Sequence, residues 1–113
     1  MDPHVEKHFN MIEELDLYHL FEKVRREMRA EAYGTPEIFF KEQVLRGVTT
    51  VAAGELYGER YYDLEKEQHI GRNFHLTEIT VELIEYYQEN RDDYSNFGEF
   101  VPLIFEAYKE IQD

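Results

Sequence analysis

The stretch TPEIFFKEQVLRGVTTVAAGELYGERYYDLEKEQHIG, residues 35–71, decides the fold. Thr35 is a good N-cap, and Pro36 suits the first helical position, where an N–H would be unpaired in any case. Phe40, Val44, Val48, Val51 and Ala52 then recur at the spacing that keeps one helical face apolar. No strong breaker follows until Gly71, so the pattern predicts a long helix starting near Pro36 and reaching about residue 69. At 1.5 Å per residue that is roughly 50 Å, more than a domain of this size needs. Such a helix either breaks near Gly58, or protrudes and is covered by another subunit.

The flanking sequence is also helical. Asp2-Pro3 repeats the cap-plus-proline signal, and Val5, Phe9 and Ile12 follow at helical spacing. Asp16 reads as a second cap, because the apolar stripe restarts in a new phase as Leu17, Leu20 or Phe21, Val24 and Met28; Gly34 is placed to stop that helix in a left-handed conformation. Gly71 to His75 is a short connection, with Phe74 as its anchor. Leu76-Thr77 caps a helix lined by Ile79, Leu83, Tyr86 and Tyr87, with Leu76 and Val81 spaced as a hydrophobic staple. After the polar loop NRDDYSN, residues 90–96, a last helix shows Phe97, Val101, Ile104, Tyr108 and Ile111 on one side, with Pro102 opposite as a bend. Glu outnumbers Asp 19 to 6, which favours helix propagation. The expectation is an all-α, single-domain helical bundle of about five helices over residues 1–113.

Composition narrows the function classes. The formal charge is −13, and it is uneven: residues 1–50 carry a balance of −3 and residues 51–113 a balance of −10. Such a surface repels phosphate backbones, which argues against direct nucleic-acid binding, and attracts basic proteins or divalent cations. The 42% hydrophobic content excludes a wholly disordered acidic tail, and no apolar run approaches a membrane span. Without cysteine there is no disulfide framework, thiolate metal site or cysteine nucleophile, and a soluble cytoplasmic protein is expected. The one dense basic cluster is Lys23, Arg25, Arg26 and Arg29, read as a solvated helix face paired with Glu22 and Glu27, or else as a docking patch.

Continued past Ala52, the apolar face of the long helix meets Glu55, Glu59 and Tyr62, with His69 close by. A buried carboxylate must be paired, protonated or metal-bound. Three readings follow: the helix leaves the core and both glutamates are solvated; arginines such as Arg25, Arg26, Arg60 or Arg72 answer them; or the i,i+4 pair holds a hard cation such as Mg²⁺ or Mn²⁺. A di-iron bundle is disfavoured, because Lys66 and Arg72 stand where Glu-x-x-His needs the glutamates before His69 and His75. His4 and His8 form an H-x-x-x-H pair without the H-E-x-x-H order of zinc proteases, read as an exposed first helix. Gly47, Gly54 and Gly58 form a small-residue strip that calls for close helix packing, within the chain or between subunits.

Together these features point to a non-enzymatic, acidic interaction module, a regulator or inhibitor of a basic protein, that needs no cofactor. Its partner-binding surface would comprise Glu82, Glu85, Glu89, Asp92 and Asp93. Gly54, Tyr57, Gly58 and Tyr61 would form the interface of a homodimer, since tyrosine suits interfaces. An alternative comes from Gly54-Glu55-Leu56 and Glu82-Leu83-Ile84-Glu85, which resemble the plan of all-α nucleotide pyrophosphatases of the MazG type over about a third of the chain. That resemblance implies a Mg²⁺- or Mn²⁺-dependent enzyme with Glu55, Glu59, Glu82 and Glu85 as ligands and Arg25, Arg26 or Arg72 on phosphates. The chain departs from the plan at Ala52, where an acid is needed, and at Glu85, where the plan has aspartate.

Overall fold

A computed structural model describes residues 3–31 and 33–111, apart from the side chains of Pro3 and His4. The described residues form α1 (Pro3–Glu6), α2 (Asn10–Glu14), α3 (Tyr18–Glu22), α4 (Arg25–Ala30), α5 (Pro36–Tyr57), α6 (Glu59–Gly71), α7 (Thr77–Glu89), a 3-10 turn (Arg91–Asp93) and α8 (Phe97–Lys109), with no strand. The fold is all-α, as its pattern requires. The described residues form eight α-helices where about five are expected, because the first thirty residues form four short pieces instead of two helices and the long helix is divided into α5 and α6. Asp16 is not an N-cap there: it sits at φ 54, a left-handed corner that aspartate tolerates, and Leu17 takes the capping position. Gly34 does not adopt a left-handed conformation; the Tyr33 N–H bonds instead to the Met28 carbonyl after α4 ends. The buried stripe itself, Leu17, Leu20, Phe21, Val24 and Met28, is as read from the sequence.

The long helix breaks at Gly58, at φ 101 and ψ 175, a backbone region open mainly to glycine. The largest dimension of the molecule is 33 Å, about the length of α5 alone. Beyond the break, α6 folds back antiparallel on α5. Close approaches of Gly54 to Tyr62 and of Arg46 to His69 set this register. On the neighbouring side, α7 crosses α5 at Gly47, where an added Cβ would lie 2.5 Å from Thr80 Cγ2. For Gly47 and Gly54, then, the close approach made possible by small residues is filled from within the chain.

Thr35 caps α5 by accepting the Ile38 N–H, and Asn96 caps α8 by accepting that of Glu99. Thr77 does not cap α7 with its side chain. Its hydroxyl donates to the Phe74 carbonyl at 2.7 Å and accepts from Gln43 Nε2 at 2.8 Å, while Gln43 Oε1 takes the Leu76 N–H at 2.9 Å. The fully buried Gln43 amide thus substitutes for a cap and ties α5 to the start of α7.

Phe39 and Phe40 centre the core. Phe39 lies 5.7 Å from Phe21 and stacks at 5.9 Å on Phe74, and Phe40 meets Phe105 and Tyr108 of α8. Pro102 falls inside α8 without ending it. Because proline has no N–H, the Gly98 carbonyl loses its helical donor, and His8 Nε2 donates to that oxygen at 3.0 Å. His8 therefore serves α8; the imidazole of His4 lies outside the described residues.

Candidate functional site

Glu78, Glu82, Glu85 and Glu89 recur at three- and four-residue steps along α7 and are all exposed, forming one row on the helix. Asp92 and Asp93 continue the exposed acidic surface in the turn that follows. Among the described residues, none of these carboxylates is in an ion pair. Like charges at i,i+4 oppose helix formation by about 0.2–0.5 kcal/mol per pair, so the row is mildly self-repelling until a cation reaches it.

On one flank of the row lies a groove of about 550 Å³ between α5, α6 and α7. Val51, Gly54, Tyr62 and Gln88 give it uncharged walls, and Glu55, Glu59, Glu85 and Glu89 supply carboxylates. The Tyr62 hydroxyl donates to Glu85 Oε1 at 3.1 Å and orients it. Burial pushes the Tyr62 phenol up to about 12, helped by that bond and by the charges of Glu85, Asp63 and Glu82.

Glu55 and Glu59 are both exposed, because the Gly58 break takes Glu59 off the α5 face. They share the groove with Glu85, whereas Glu82 is not among its walls. Among the described residues, no three His, Cys, Asp or Glu side chains converge as ligands for a metal ion.

The arginine that enters the interior is Arg46. Its guanidinium lies 4.3 Å from the Phe74 ring centre, donates to Tyr33 Oη at 3.0 Å and to His69 Nδ1 at 3.1 Å, and stands 3.6 Å from Glu42. His69 is the one buried residue of α6 among those described. With Nδ1 accepting from Arg46, the ring proton belongs on Nε2, which lies 3.0 Å from Glu65 Oε2 without hydrogen-bond alignment. Burial and the charges of Arg46 and Arg72 lower the His69 pKa, against the opposing pull of Glu65. The unfolded chain thus takes up a proton near 6.5 while the folded chain resists, and stability present above that value is lost as pH falls below it. In urea titrations at pH 7.5 and 5.5, His69→Gln should lose less stability on acidification than the wild type. Parallel losses would remove His69 as the source.

Tyr57 and Tyr61 flank the Gly58 turn, their ring centres 5.5 Å apart, at 68% and 51% exposure. Lys23, Arg25, Arg26 and Arg29 are exposed, and Arg25 pairs with Glu22 at 3.1 Å. In the R-N-F-H connection, His75 Nε2 donates to the Leu20 carbonyl at 2.8 Å and Phe74 is buried, so these residues brace the fold. Sequence reasoning missed Gln43 and Arg46. Gln43 did carry a signal, a polar residue amid Phe40, Val44, Gly47 and Val51; Arg46 carried none, since arginine on a helix is ordinarily a solvated residue.

Fold and surface together define an all-helical protein with a carboxylate row along one helix. The chain belongs to the family described as Domain of unknown function (DUF4932), whose model matches residues 1–107. No curated protein and no solved structure matches the chain.

Proposed function

We propose that this protein is an acidic interaction module that binds a basic partner protein and regulates it, inhibiting it by covering a surface meant for nucleic acid or phosphate. The observation that carries the reading is the row of exposed glutamates on α7, continued by Asp92 and Asp93 and flanked by the carboxylates of the groove. A molecule of formal charge −13 with such a row steers cationic partners toward it and gains from neutralisation on contact. The reading includes a cytoplasmic setting, where basic nucleic-acid-binding proteins are accessible. It also includes a homodimer seated on Gly54, Tyr57, Gly58 and Tyr61, supported by the exposure of both tyrosines.

Affinity for a Lys/Arg-rich peptide should fall about tenfold or more between 50 and 300 mM salt. Reversing three charges, Glu82→Lys with Glu85→Lys and Glu89→Lys, should weaken binding about 100-fold at low salt without lowering the melting temperature. Binding indifferent to both salt and the triple reversal would refute the reading.

A further inference from the structure

On the other side of α7 from the acidic groove is a second cleft, of about 310 Å³, and its chemistry differs. Leu83 and Tyr86 of α7 face Phe100, Leu103 and Ala107 of α8 across it. Phe100 is fully buried and forms the floor, with the Tyr86 ring stacked on it at 6.2 Å. Tyr86 and Leu103 keep 49% and 39% of their surface exposed. Large apolar side chains left half open in a concave place are a poor arrangement for an isolated chain in water.

The margins of the cleft are charged. Glu106 and Glu110 are four residues apart, beside Leu103 and Ala107 on the same side of α8, and form a rail along that side of the cleft. On the α7 side Tyr86 stands one turn from Glu82, a member of the row described above. The result is an apolar slot between two acidic rails. A neutral apolar segment would leave the rails unanswered, and a second copy of this chain, at formal charge −13, would approach them against net repulsion.

We infer that this cleft docks an amphipathic, Lys/Arg-rich helical segment of the partner protein: one or two large apolar side chains enter between Tyr86 and Leu103, and basic residues a turn away meet Glu106, Glu110 and Glu82. The inference rests on the acidic-module reading and deepens it, because the rails supply attraction while the slot supplies selectivity for an apolar anchor. The volume lies at the lower end of the range for ligand pockets, about 300–1,000 Å³, and fits side chains better than a whole helix.

The test uses two synthetic peptides of equal length and charge, one with leucines at helical spacing among lysines and one with those leucines replaced by serine. The leucine peptide should bind roughly tenfold or more tightly. Leu103→Ser should abolish that preference while leaving the serine peptide's affinity unchanged. Ala107→Met, which fills the slot without removing a wall, provides the same readout if Leu103→Ser melts early. Equal binding of both peptides by the wild type, still weakened by salt, overturns the docking inference and leaves the acidic module standing. Failure of both peptides to bind overturns both readings. Sedimentation showing a dimer that Leu103→Ser dissociates would identify a second copy as the occupant and overturn the partner-helix assignment.

Discussion

Phe39→Ala is expected to destabilise the protein by about 3–5 kcal/mol, the usual range for deleting a buried aromatic ring. Phe39 is fully buried and touches four other rings from three parts of the chain: Phe21 of α3, Phe40 of α5, and Phe74 and His75 of the connection before α7. The surrounding helices are tied by other contacts, so the hole left by the ring cannot close completely. A small protein has about 5–15 kcal/mol in total, so the loss takes a large share, and the melting temperature should drop by about 12 °C or more. Leu45→Ala, on the same helix but 42% exposed, is the control and should stay within about 0.5 kcal/mol of wild type. If the two variants melted together, the aromatic cluster would not be the centre of the core.

Gly47→Ala is expected to be destabilising as well, by about 1–3 kcal/mol, although alanine is the better helix former by nearly 1 kcal/mol. The added Cβ would lie 2.5 Å from Thr80 Cγ2 and 2.9 Å from Ile84 Cδ1. Thr80 cannot simply rotate away, because its hydroxyl donates to the Leu76 carbonyl at 2.6 Å and also meets the Tyr108 hydroxyl inside the core. Either that buried polar contact breaks or α7 lifts from α5. Adding Thr80→Ser removes the obstructing methyl and keeps the hydroxyl, so the double variant should recover part of the loss. Calorimetry on the four proteins of this cycle decides the matter: a Gly47→Ala variant more stable than wild type would mean that α5 and α7 are further apart than described.

These two residues show what could be read from the chain and what could not. Phe40, Val44 and Val51 define a helical face by spacing alone, and the class of fold follows from such faces. Gly47 was legible as a place of close approach, but not which helix would fill it, because sequence spacing says nothing about the neighbour. The Gly58 break stood among the alternatives and could not be chosen over a straight helix without knowing what α6 packs against. The short N-terminal helices were illegible for a related reason: α2, α3 and α4 start without side-chain caps, and packing against α5, α8 and one another sets these pieces, while the Asp2 cap read for α1 lies outside the described residues. The acidic row on α7 was legible in part, since Glu82, Glu85 and Glu89 are spaced for one face. The apolar slot beside it was not, because Leu103 and Ala107 acquire their role only when α8 lies against α7.

The folding back of α6 has a consequence for how the molecule comes apart. This helix buries one histidine and half-buries Tyr62 against Gly54, while Tyr61, Leu64 and Ile70 remain exposed, so its hydrophobic hold on α5 rests on few side chains. The rest of the chain is joined by the phenylalanine cluster and by Gln43, which α6 meets at one edge, where the Phe74 N–H bonds to the His69 carbonyl and Arg46 spans Phe74 and His69. Detaching α6 at Gly58 would break the Arg46–His69 and Tyr62–Glu85 bonds but leave Phe40 packed on α8, so the amides of α6 should exchange with solvent sooner than those of α5. The outer helix is in this sense a layer of its own, lying on a broader body.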